Sequence, residues 1–233
     1  MKEKTNILDR IKQILTGIFV IFLFFFISAF RGLPFKLLGI DTSTLPTIVT
    51  QSYIIISEIL LISIICIIYH KNIEDSIKDF KKNHKKYFNK YLKYWVIGLI
   101  IMYTSNIIIG SFYKMPSNEE TIRTLFGVNP IYIFISSVFL APILEELTFR
   151  KAIKSIFKNK WVFIIMSGLI FGYLHIMSFN NLLELLYIIP YGTFGVVFAC
   201  MLYDTDNICV PILFHFMHNG IFMSLQFFMM FFM

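Results

Sequence analysis

Charge is what this chain has least of. Only 15% of its 233 residues are Asp, Glu, Lys or Arg, while 57% are hydrophobic; a soluble domain averages nearer a quarter charged. That scarcity excludes a soluble globular enzyme and a disordered chain alike. Cysteine is also sparse. Cys66, Cys200 and Cys209 each sit in an apolar run without metal-ligand spacing, which excludes a disulfide framework and a cysteine-zinc site and leaves small buried hydrophobes. The soluble zinc-protease signature H-E-x-x-H is absent. So are nucleic-acid motifs and long-period repeats, and the net charge of +7 must find another explanation.

What is present is a series of long apolar runs. The mean hydropathy is +0.73. Stretches of membrane-spanning length fall at 13–30, 48–69, 94–113, 131–149, 161–177, 182–203 and 208–232. The first resembles a signal peptide only superficially. Its uncharged core from Gln13 to Phe30 exceeds a usual h-region, and Ile27-Ser28-Ala29-Phe30 offers no small-x-small cleavage site, so it reads as an uncleaved anchor. The expected fold is an all-α polytopic transmembrane helix bundle of about seven helices.

The basic residues orient these spans. All but Arg31, Lys36, Lys114 and Arg123 of the 21 Lys and Arg fall in the N-terminal tail, in 70–93 and in 150–160, which seven spans place on one side. The positive-inside rule then puts the N-terminus in the cytoplasm and the C-terminus outside. The 204–207 turn carries no basic residue and is oriented only by counting. The segment 71–93 interleaves Lys with Phe80, Tyr87, Phe88, Tyr91 and Leu92. It reads either as an amphipathic helix on an anionic cytoplasmic leaflet or as a solvated linker carrying topogenic charge.

Against this greasy background, Glu145-Glu146-Leu-Thr-Phe-Arg150 stands out. Ionisable groups at membrane depth are costly, face a bundle interior or a wet cavity, and point to a functional site. Glu146 and Arg150 are four apart, so one helix face carries both as an ion pair; Glu145 projects about 100° away. One carboxylate is thus neutralised while the other is free to act as a general base. Pro142 is expected to kink the helix and free a carbonyl. His175 lies as far beyond the Asn159-Lys160 turn as Glu145 lies before it, about 22 Å along an antiparallel pair, so the two can hold a water between them. Gly168-x-x-x-Gly172 just before His175 permits close helix approach. His215 and Asn219 share another face, a spacing suited to two donors on a developing oxyanion. His218 lies off that face, and His215 reaches only about 13 Å from its own turn if the helix is straight.

Glu145-Glu146-x-x-x-Arg150, Phe171-x-x-x-His175 and His215-x-x-x-Asn219 resemble the three motifs of the CAAX-processing and bacteriocin-processing (CPBP, Abi) intramembrane proteases. The resemblance runs from about 131 to 220. It implies that Glu145 and His175 activate water, that His215 and Asn219 hold the oxyanion, and that the bundle has about eight helices. It divides the chain into N-terminal helices (1–120) and a catalytic core (121–233) within one integral membrane unit.

Metal use stays open, since Glu145, His175 and His215 also form a His₂Glu set compatible with zinc while Asn219 looks like an oxyanion donor. The remaining polar residues have plainer readings. Glu58 is a bundle residue, Glu184 is interfacial, and Tyr173, Met177 and the terminal Phe/Met run pack or face lipid. The expected function is cleavage of a membrane-associated peptide, with no nucleic-acid partner. The richness in Ile, Lys and Asn hints at an AT-rich bacterial genome, which favours a small peptide precursor over a prenylated end. Two other classes stand beside it: a non-catalytic membrane binding protein, such as a bacteriocin immunity factor or a regulator of a membrane kinase, and a transporter or proton-coupled carrier with an ion path through Glu58 and Glu145. The paired helices show no inverted repeat to support the last.

Overall fold

The computed structural model describes residues 6–176 and 181–232, without the side chain of Phe231. Lys2, Lys4 and Met177 therefore lie outside the described residues. The described chain is all helix and turn, with no strand. Its helices are α1 (Ile7–Phe30), α2 (Thr47–Ile68), α3 (His70–Gly110), α4 (Ser117–Val128), α5 (Pro130–Ile156), α6 (Lys160–Leu174), α7 (Leu182–Thr205, opening with a 3₁₀ turn over Leu182–Tyr187) and α8 (Cys209–Phe232). Short turns at Leu33–Leu37 and Thr42–Thr44 join α1 to α2.

Six of these helices, α1, α2, α3, α5, α7 and α8, are long and apolar enough to cross a bilayer. The expected fifth span is shorter. Helix α6 has 15 residues, about 22 Å at 1.5 Å per residue. It starts where the Asn159 side chain accepts from the N–H of Trp161 and Val162, a regular N-cap, and it stops at His175.

Residues 70–93, read from the sequence as an amphipathic surface helix or a linker, are helical and continue directly into the apolar stretch that follows. No Pro or Gly interrupts His70 to Trp95, and α3 runs unbroken for 41 residues, about 61 Å, twice the hydrocarbon thickness. Its aromatic stripe turns inward. Tyr91 and Trp95, flanked by Phe80, Tyr87, Phe88 and Leu92, pack on Phe194, Phe198 and Met201 of α7 and on Val210 and Phe214 of α8.

Polar contacts tie the two ends of the bundle. At one end Lys154 reaches the Leu202 carbonyl and Asp206 at 2.9 and 2.8 Å, and Lys160 meets Asp204 at 3.3 Å. Asn207 donates to the Ser76 carbonyl and to Asp79 at 2.8 and 2.7 Å, so the start of α3 and the 204–207 turn share that end. Arg10 of α1 donates to the Ser155 and Ile156 carbonyls at 2.7 and 2.5 Å and caps the last turn of α5. At the other end Glu184, expected at an interface, is buried at 1% exposure. Its carboxylate accepts from the Ser117 hydroxyl at 2.8 Å and from the Ser117 N–H at 3.4 Å, where the N-terminal dipole of α4 favours an anion.

The glycine face of α6 meets α7. A Cβ on Gly195 would lie 2.8 Å from the Gly168 Cα, and one on Gly172 would lie 2.8 Å from the Ile188 carbonyl oxygen. The G-x-x-x-G face therefore seals the α6–α7 hairpin, and α5 meets the neighbouring face of α6 instead. Sequence spacing identifies a small-residue face but not its partner.

Candidate active site

Helix α5 is not a uniform helix. Two wide π turns, Ile135–Leu140 and Leu147–Ala152, bracket the α-helical turns that carry Pro142, Glu145 and Glu146. Pro142 has no N–H to give the Val138 carbonyl. The chain answers by widening, with the Ala141 N–H bonding Ser136 five residues back. Such widened turns recur at functional sites because they re-aim side chains.

Glu146 and Arg150 are both fully buried, with Arg150 Nε 3.3 Å from Glu146 Oε2. The guanidinium lies over the Phe171 ring at 4.0 Å and near Phe198 at 5.6 Å, so aromatic faces replace part of the hydration it has lost. The other Glu146 oxygen is 2.9 Å from His215 Nδ1. A carboxylate only accepts, so Nδ1 carries the proton, and the imidazole is fixed with Nε2 pointing away. That Nε2 lies 3.8 Å from Glu145 Oε2. Glu145 differs from its neighbour: its side chain is 23% exposed and makes no ion pair with Arg150. His215 thus meets the glutamates despite its shorter distance from the 204–207 turn.

His175 ends α6 beside this group. Its Nδ1 donates to the Phe171 carbonyl at 2.8 Å, which leaves the Nε2 lone pair outward. The ring stacks on Tyr191 at 4.8 Å and rests on Phe171 at 4.4 Å. Glu145 and His215 lie near it. Asn219 donates to the Ser137 carbonyl at 2.8 Å, one of the carbonyls of the first π turn; its second amide hydrogen remains to serve a ligand. His218 is packed among Phe194, Phe222 and Trp95, away from the carboxylates.

Several participants carry no sequence signal. Ser167 is fully buried and donates to the Phe149 carbonyl at 2.6 Å, pinning α6 to the second π turn of α5. Ser167, Phe171 and His175 recur every four residues, so one stripe of α6 holds the Phe149 carbonyl, the Arg150 guanidinium and the site histidine. Tyr191 and Phe198 reach the site from α7. A polar stripe of period four on an apolar helix is the one clue that singles out Ser167. Glu58 of α2 accepts from Ser136 at 3.1 Å and lies 3.6 Å from Arg31, so the N-terminal half braces the same π turn that holds Asn219.

A zinc ion held by Glu145, His175 and His215 would need all three donors to converge on one point. The outward Nε2 atoms, each backed by an acceptor on Nδ1, suit ligand histidines. Yet no three His, Cys, Asp or Glu among the described residues converge closely enough to hold an ion. The donor set does not close as it stands, and no step is derived through a metal.

Residues 127–221 match the family model of type II CAAX prenyl endopeptidase Rce1-like proteins. The chain is 32% identical over 143 residues to a putative membrane peptidase, YdiL, of Bacillus subtilis (strain 168), covering 57% of this chain and 55% of that protein. It is 27% identical over 144 residues to the membrane-embedded CAAX protease MroQ of Staphylococcus aureus (strain USA300), covering 56% and 57%. It thus spans a little over half the length of these relatives. A shorter likeness, 32% over 88 residues and 34% of each chain, links it to the UPF0177 protein YvdC of Lactococcus lactis subsp. lactis (strain IL1403). No solved structure matches.

Proposed function

Because residues 127–221 belong to the CPBP family of CAAX-type membrane endopeptidases, we propose that this multi-pass membrane protein is an intramembrane peptidase using a glutamate–histidine pair to activate water. The observation that carries the reading is the division between two adjacent carboxylates. Glu146 is buried, fixed by Arg150 and His215, whereas Glu145 is partly open and unclaimed by the arginine.

Water between Glu145 and the His175 Nε2 lone pair loses a proton to Glu145 as its oxygen attacks the scissile carbonyl. The oxyanion then meets His215 and Asn219. For His215 to donate from Nε2 while Nδ1 donates to Glu146, its ring must carry both protons. With Arg150 and Glu146 counted, the four ionised groups sum to zero, which limits the cost of keeping them out of water. Collapse of the intermediate returns the proton from Glu145 to the leaving amine.

The excess of Lys and Arg at the end holding the 150–160 segment favours a cytoplasmic placement of that end, with the N-terminus inside. His215 is eight residues from Asn207, about 12 Å along α8, so cleavage takes place in the cytoplasmic half of the membrane. A membrane-associated peptide precursor is the substrate class that such a site admits.

The test is turnover of a library of membrane-anchored peptides by purified wild type, Glu145→Ala and His175→Ala in liposomes, with and without a zinc chelator. Activity lost in both variants and resistant to chelation supports the metal-free pair. Chelator-sensitive activity replaces it with a metal site. Folded alanine variants that keep full cellular behaviour would favour the binding-protein reading.

A further inference from the structure

A second site lies between α3 and α8, away from the glutamates. Phe80, His84, Lys85, Phe88, Asn89 and Leu213 line a groove of about 410 Å³. Its floor is the ring and aliphatic surface of Phe80, Phe88 and Leu213. Lys85 and Asn89 stand at its rim, both exposed, and the His84 ring leans on Phe80 at 6.2 Å between centroids.

Charge around the groove is predominantly positive, with Asp79 and Asp204 the nearby carboxylates. Lys81, Lys82, Lys85, Lys86, Lys90 and Lys93 are exposed on α3, and no Asp or Glu occurs between Asp79 and Glu119. Asp79 itself is engaged by Tyr87, Asn83 and Asn207. No carboxylate on this stretch offsets the lysines, and an exposed apolar floor beside them is costly in water. Depth supplies the second constraint. The Asp79–Asn207 contact at 2.7 Å marks the end of the bundle. Lys85 and Leu213 each lie six residues further in, about 9 Å. The headgroup layer on each side of the roughly 30 Å hydrocarbon core is about 5–8 Å deep, so a groove this near the end of the bundle is within reach of lipid headgroups. There the lysine stems run along apolar surface while their ammonium groups reach outward.

We propose that this groove binds one anionic phospholipid, its phosphate between Lys85 and Asn89 and the start of its acyl chains on Phe88 and Leu213. A soluble anion would have no use for the apolar floor, and a zwitterionic lipid would gain less from the excess of lysines. The occupant also bears on the active-site helix, since Phe88 stacks on Phe214 at 5.6 Å, immediately before His215.

The test reads folding, so it does not depend on the peptidase reading. The full chain in dodecyl maltoside is titrated with dioleoylphosphatidylglycerol while its unfolding midpoint is followed. The expected result is a saturable rise. Each lysine charge near a membrane surface changes affinity roughly fivefold, so Lys85→Gln should need about five times more lipid and Lys85→Glu about 25 times more. Asn89→Leu should also weaken the response. Lys158→Glu, an exposed lysine on the α5–α6 connection and outside the groove lining, should leave it unchanged. An equal rise with dioleoylphosphatidylcholine or inorganic phosphate, no saturable rise at all, or equal losses in Lys85→Glu and Lys158→Glu would each overturn the assignment.

Discussion

Replacing Arg150 by Met removes a charge from the most enclosed part of the protein while keeping most of the side-chain volume. Arg150 and Glu146 are both at 0% exposure, 3.3 Å apart. Removing one partner of a buried pair costs about 3–5 kcal/mol, because the other charge stays desolvated. Lost contact with Phe171 and Phe198 falls within that range. The bond from His215 to Glu146 softens the loss, which favours the lower end, about 3 kcal/mol. At roughly 2–4 °C per kcal/mol for a chain of this size, the midpoint should fall by about 6–12 °C in a detergent melt followed by the fluorescence of Trp95 and Trp161. Glu146→Gln combined with Arg150→Met removes both charges and should recover more than half of the loss, since a neutral replacement for a buried pair is often tolerated. A single variant melting within about 2 °C of wild type, or a double variant as unstable as the sum of the singles, would refute the picture of a desolvated pair.

Other outcomes follow from single contacts. Ser167→Ala strands the Phe149 carbonyl at a cost of about 1–3 kcal/mol; because it frees the register between α5 and α6, kcat should fall tenfold or more with KM nearly unchanged. Phe163→Leu, buried on the same helix but near Tyr203, should lower the melt without that loss of kcat. Gly172→Leu places a side chain against the Ile188 carbonyl, 2.8 Å from its Cβ, and should sharply reduce the folded yield by parting α6 from α7. Arg10→Ala removes two bonds to the last turn of α5 and should lower the midpoint by the equivalent of about 1–3 kcal/mol, leaving peptide binding unaltered.

Much of the architecture is written in the apolar runs, because a bilayer admits few alternatives to helices that satisfy their own backbone. The spacing of Glu146 and Arg150 gives their pairing directly, since neighbours at i and i+4 need no tertiary information. Contacts between helices are another matter. The inward face of α3 depends on Phe88 finding Phe214, and the periodicity of 71–93 fits a bundle face as well as a membrane surface. Glu184 looks interfacial by position and proves buried because Ser117 comes to it across the bundle. The two π turns around the glutamates depend on Pro142, a signal that forecasts an interruption without its form. His215 reaches Glu146 although counting residues from the two turns places them at different depths.

The central claim is that Glu145, and not its buried neighbour, does the chemistry. The most direct measurement is kcat for Glu145→Gln, on protein whose unfolding midpoint matches wild type, with any cleaved membrane-anchored peptide. Loss of a general base is worth about 10²–10⁴-fold, so a fall in that range with an unchanged melt is expected. A Glu145→Gln enzyme that is equally well folded and retains kcat within tenfold of wild type would contradict it.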